Sequence, residues 1–175
     1  CTNEITGGRM RIKINGTGSG SETQCGFVAK KSVYGDFNAT IDYNITTLQD
    51  EKVFVFLFTE EKNRERGYQV RINYERNAGS STFVAAIEQA DNYTTLTNTT
   101  ITETAGTIGI SRQNNTFTFY YMNGSSQAVI ATTNATLMKG LYPRIFSVSY
   151  TPTWYQREVY FDNFNLTSEN PDAYA

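Results

Sequence analysis

The chain has no histidine, and so lacks both the commonest general base near neutral pH and the commonest transition-metal ligand. Ser-His-Asp and Cys-His triads and zinc-histidine sites are excluded. Cysteine is nearly as scarce: Cys1 and Cys25 are too few for a four-thiolate zinc site or a disulfide-dense miniprotein. An excess of positive charge is also missing. With Lys+Arg 15, Asp+Glu 17 and a net charge of -2, no nucleic-acid partner is expected. The longest apolar run, Val53 to Phe58, is far shorter than the about 20 residues of a spanning helix, so no membrane insertion is expected.

What is present is enough apolar material for one core. The 175 residues are 39% hydrophobic and 14% aromatic, which fits a single domain over residues 1–167 followed by a polar tail over 168–175. Opening on Cys1 and not on Met, the chain reads as a processed mature form or a piece of a longer product. Cys1 and Cys25 are expected to pair with each other; a lipid-modified Cys1 that leaves Cys25 as a free thiol is the other reading.

Asn-X-Ser/Thr acceptors are in excess. From 16 Asn and 36 Ser+Thr in 175 residues, independent placement gives about three. The chain has nine, at Asn15, Asn38, Asn44, Asn92, Asn98, Asn114, Asn123, Asn134 and Asn165. From Asp36 to Ile45 the sequence alternates strictly, with Phe37, Ala39, Ile41, Tyr43 and Ile45 opposite Asp36, Asn38, Thr40, Asp42 and Asn44. That is a half-buried strand whose two sequons face water. Asn114 falls in the polar break of a hairpin formed by Thr107 to Arg112 and Thr116 to Met122, and Asn123-Gly124 is a turn dipeptide. Number and placement together point to an oxidising, glycosylating, extracellular setting.

The same alternation recurs. Met10, Ile12 and Ile14 oppose Arg9, Arg11 and Lys13, while Tyr68, Val70, Ile72 and Tyr74 oppose Gln69, Arg71, Asn73 and Glu75. Further strands are expected at 26–30, 53–59, 82–88, 128–132, 144–150 and 158–167. With no helical period competing, the fold class is all-β, a two-sheet antiparallel sandwich or jelly roll.

The order Gly35-Asp36-Phe37, then Gly67-Tyr68-Gln69-Val70-Arg71-Ile72, then Gly109-Ile110-Ser111-Arg112, then Val159-Tyr160-Phe161-Asp162-Asn163-Phe164 resembles the concanavalin A-like lectin and glucanase superfamily in its laminin-G-like branch. The resemblance implies two curved antiparallel sheets and functions from sugar binding to glycan hydrolysis to adhesion and assembly. The hydrolase branch sets carboxylates two and four residues apart on one strand, so that both flank a single glycosidic bond. This chain lacks that spacing. Glu60-Glu61 leads into a charged turn, and Asp36 and Asp42 share a face with sequons, so no enzyme is expected. The resemblance also implies a structural calcium on an aspartate of the last strand, here Asp162, with Asn163 and Glu4 as further candidates; an aspartate bonded to a neighbouring backbone amide is the alternative. No cofactor is otherwise required. The apolar parity changes between Phe161 and Phe164, which calls for a bulge at Asp162-Asn163 or cover on both faces.

Two features bear on partners. Trp154 and Tyr155 sit in a loop where a sugar ring could stack. Val53 to Phe58 is apolar on both faces, so loops, a ligand or another copy must cover the second. Phe54, Phe56, Phe58 and Tyr174 are therefore candidate self-association residues. The sequence supports a secreted, N-glycosylated, non-catalytic sandwich acting in adhesion or assembly as a repeating subunit, such as that of a filament, with a carbohydrate-binding module as the rival reading.

Overall fold

A computed structural model of the chain describes residues 1–15, 23–48, 51–60, 68–90, 92–136, 140–149 and 156–168. Trp154, Tyr155, Tyr174 and the tail beyond Ser168 lie outside the described residues, as does the charged stretch 61–67.

Thirteen strands are described: β1 (Thr2–Thr6), β2 (Arg9–Ile14), β3 (Thr23–Val28), β4 (Phe37–Thr47), β5 (Glu51–Thr59), β6 (Gln69–Asn77), β7 (Ser80–Gln89), β8 (Asn92–Ile101), β9 (Ala105–Gln113), β10 (Thr116–Asn123), β11 (Ser126–Asn134), β12 (Tyr142–Ser149) and β13 (Arg157–Ser168). No helix occurs among the described residues. A seven-stranded sheet has the order β1-β2-β13-β4-β9-β10-β11, and a six-stranded sheet the order β3-β12-β5-β6-β7-β8. All pairings between named strands are antiparallel. The sandwich inferred from alternation is the one observed.

The sheets meet through the apolar parity of each strand. Phe37, Ala39, Ile41, Tyr43 and Ile45 of β4 are all in the core, facing Phe54, Phe56 and Phe58 of β5. Phe58 stacks on Phe37 at 4.5 Å, and Phe54 packs against Tyr43 and Phe161 at 5.2 Å. Burial pushes the Tyr43 phenol well above its usual range, with smaller contributions from Tyr74 and Glu103. The aromatic trio of β5 is thus the centre of the inter-sheet core, at most 1% exposed. This corrects the expectation that Phe54, Phe56 and Phe58 contact another copy. On the opposite face of β5, Val55 and Leu57 are buried as well and cluster with Phe146 and Val148 of the neighbouring strand β12.

Cys1 and Cys25 are disulfide-bonded with Cα atoms 6.0 Å apart, tying the start of β1 to β3 across the sheets. The lipidated alternative is thereby set aside. β13 carries the expected bulge, its register with β4 shifting between Asp162 and Asn165. Asn163 takes a left-handed backbone (φ 49°), a conformation that asparagine tolerates better than most residues.

Candidate functional site

The outer face of the six-stranded sheet concentrates chemistry. Alternation sends Gln69, Arg71, Asn73 and Glu75 of β6 outward, because Val70, Ile72 and Tyr74 fill the core. Antiparallel register sets Glu88 of β7 opposite Gln69, and Tyr93 of β8 opposite Glu88. Across the next rows lie Leu57, Arg71, Ala86 and Thr95, then Phe146, Val55, Asn73, Val84 and Asn98. Three consecutive strands therefore assemble one polar patch beside an apolar one.

Within it, the Gln69 amide donates to Glu88. Asn73 Nδ2 donates to Glu75 Oε1 at 2.8 Å and to the Tyr93 hydroxyl at 3.4 Å. The Arg71 guanidinium lies 4.2 Å from the centre of the Tyr93 ring, a cation–π contact. Tyr93 is 39% exposed, whereas Asn73 is fully buried. Two buried atoms here lack a hydrogen-bond partner: Asn73 Oδ1, an acceptor, and Arg71 Nε, a donor. They belong to neighbouring outward residues on one strand. What the patch presents to solvent is the partly exposed ring of Tyr93, set on buried amides and carboxylates.

The sequons lie mostly on the other sheet, with Asn98 at the β8 rim of the Asn73 row. All nine sequon asparagines are exposed. Seven belong to the seven-stranded sheet or its connections, and Asn92 and Asn98 lie on the edge strand β8. Strands β3, β12, β5, β6 and β7 carry none. On the seven-stranded sheet Arg11 bridges Glu4 (2.5 Å) and Glu158, and this holds the Glu158 carboxyl below the usual carboxylate range. Asp162 Oδ1 accepts from the backbone N–H of Asn163 at 2.8 Å, and the Asn163 amide donates to Asp42 at 2.8 Å. The aspartate caps its own bulge. Glu4 is engaged by Arg11, and no group of three or more His, Cys, Asp or Glu that could hold a metal ion occurs among the described residues.

No family model and no curated protein sequence matches the chain. Solved structures do. A legume lectin-like domain from Entamoeba histolytica aligns with a TM-score of 0.67 and 13% identity, over 96% of this chain and 87% of that one. The exoplasmic/lumenal domain of VIP36, in a form bound to Ca2+ and Man3GlcNAc, aligns at 0.63 and 9% over 97% and 84%. The alginate lyase from Klebsiella pneumoniae aligns at 0.60 and 12% over 94% and 83%. The fold is the concanavalin A-like jelly roll. A GH43 protein from Bacillus licheniformis also aligns, at a TM-score of 0.65 and 10% identity over 91% of this chain, which spans only 32% of that protein's length.

These enzymes overturn the expectation of a non-catalytic chain. The missing carboxylate spacing on one strand excludes one hydrolytic arrangement, yet the fold also carries lyase and hydrolase proteins. Residues contributed by several strands, as Glu88, Arg71 and Tyr93 are here, escape any search for spacing along one strand. That is also why the polar patch was not singled out from sequence: its visible signal is a run of four polar outward residues of mixed charge on β6.

Proposed function

We propose that the chain is an extracellular, N-glycosylated sandwich that binds carbohydrate on the outer face of its six-stranded sheet. The observation that carries this is the part-exposed ring of Tyr93, held against the Arg71 guanidinium at 4.2 Å and bonded through its hydroxyl to Asn73. Support comes from the acceptor sites, which avoid the strands on either side of β6, and from the disulfide, which suits an oxidising compartment. The lectin-like and lumenal neighbours agree with this reading. An array of neutral and acidic oligosaccharides probed with the intact protein, and with Asn73→Leu and Tyr93→Ala, tests it. Binding lost in both variants is expected; an array with no signal for the intact protein sinks the reading.

Assembly into a repeating structure is a second reading with a different basis from the aromatic trio. Ile5 is 66% exposed on the edge strand β1, and Val129 is 57% exposed on the edge strand β11. Unpaired strand edges with apolar side chains invite another chain. Light scattering of the intact protein against Ile5→Lys decides it: a monomer in both cases removes this reading.

A further inference from the structure

Two sequons are paired with each other across strands. In the β4–β13 ladder Asn38 stands opposite Thr167, and Thr40 stands opposite Asn165, so Asn38-Ala39-Thr40 and Asn165-Leu166-Thr167 run back to back. All four polar side chains point outward, because Ala39 and Leu166 between them turn to the core side. A cleft of about 450 Å³ opens beside this block, lined by Asp36, Asn38, Ser111, Arg112, Gln113 and Thr167 among others. Its lining is mixed in donors and acceptors, and its size lies within the range of small-ligand sites.

The orientation of Asn38 is fixed from one side. Tyr120 lies flat over Gly109, where any Cβ would meet the ring at 2.2 Å, and its hydroxyl donates to Asn38 Oδ1 at 2.5 Å. Tyr120 stands on β10, two strands away from β4 with β9 between. Holding Oδ1 toward β10 turns Nδ2, the atom that carries a glycan, away from Tyr120. Asp36 holds the neighbouring turn by accepting from the Asn114 N–H at 2.7 Å. Arg112 Nε donates to the Asn114 carbonyl at 2.9 Å.

We propose that this cleft seats the first sugars of an N-glycan on Asn38, so that this glycan packs on the protein while those elsewhere project into water. The inference rests on the glycosylation reading above. Attachment forms a bond between Nδ2 and the anomeric carbon of an activated sugar, breaks that carbon's bond to its phosphate leaving group and releases one amide proton. The hydroxyls and acetamido group of the attached sugar find donors in Ser111, Arg112 and Gln113, and Tyr120 acts as a positioning residue.

The test is site-resolved release of glycans from the secreted protein by peptide N-glycosidase, each site followed by peptide mass spectrometry. On native protein the Asn38 glycan should be released at least about tenfold more slowly than those on Asn98 and Asn123, as two retained hydrogen bonds would give, and the difference should vanish after denaturation. Tyr120→Phe, which keeps the ring over Gly109, should speed release at Asn38 alone. Equal native rates at Asn38 and Asn98 overturn the seat. An empty Asn38 with other sites occupied does the same while leaving the glycosylation reading intact, and no sugar at any site overturns both.

Discussion

Replacing Asn73 by leucine separates a binding role from a structural one. The side chain is fully buried, and its Oδ1 has no partner, a situation that costs about 1–3 kcal/mol. Its Nδ2 makes one good bond, to Glu75 at 2.8 Å, and one long one, to Tyr93 at 3.4 Å. Losing these costs about 1–2 kcal/mol, since Glu75 is only part-buried and water can replace the amide. Leucine has the same branched shape and number of heavy atoms, and it suits the adjoining cluster of Val55, Leu57, Phe146 and Val148. The two contributions nearly cancel. Asn73→Leu should therefore lie within about 1 kcal/mol of the parent in urea unfolding, a shift in Tm of no more than about 4 °C for a chain of this length. Oligosaccharide binding should be lost at the same time. A loss of more than about 3 kcal/mol would refute the reasoning, because it would mean that the Asn73 amide is fully satisfied in the folded protein and holds the sheet together.

Three further outcomes follow from the fold. Reducing Cys1–Cys25, which are 24 residues apart, should cost about 3 kcal/mol in the chain-entropy picture, read as a fall in Tm with reductant. Gly26→Ala should be worse than ordinary overpacking of about 1–3 kcal/mol, since its Cβ would meet the Ile145 carbonyl oxygen at 2.2 Å, and hydrogen exchange should show β3 released from β12. The Glu158 carboxyl is depressed by Arg11, so its contribution is present above the ordinary glutamate pKa of about 4.3 and disappears as pH falls through the lower folded value; Glu158→Gln should flatten that part of an acid-unfolding curve.

Strands with one wet and one dry face were legible, and β4 is the clearest, because burial imposes a period of two on its residues. β1 and β8 were not. Thr2–Thr6 and Asn92–Ile101 are edge strands exposed along most of their length, so no core selects alternation in them. The double-apolar run of β5 was legible as needing cover, but which face met the other sheet depended on partners such as Phe37 and Phe161, far away in sequence. The polar patch depends on hairpin register instead: Gln69 and Glu88 meet only because β6 and β7 pair with that offset, and Tyr93 arrives from a strand whose sequence did not announce itself.

The bulge in β13 works like a shift of reading frame. Before it, Val159 and Phe161 face the core; after it, Leu166 does, and Asn165 and Thr167 are the residues shown to water. One surplus residue, braced by the Asp162 cap on Asn163, turns the rest of the strand over without changing a single side chain. Without that residue the strand would alternate regularly from Val159 to Thr167, with Phe164 opposite Ile41, so that Asn165 would still face water and Leu166 the core. A relative of this chain lacking that residue should therefore keep the same order of apolar and acceptor positions downstream of it on a straight strand, whereas straightening the bulge with the residue retained would send Asn165 inward and Leu166 outward.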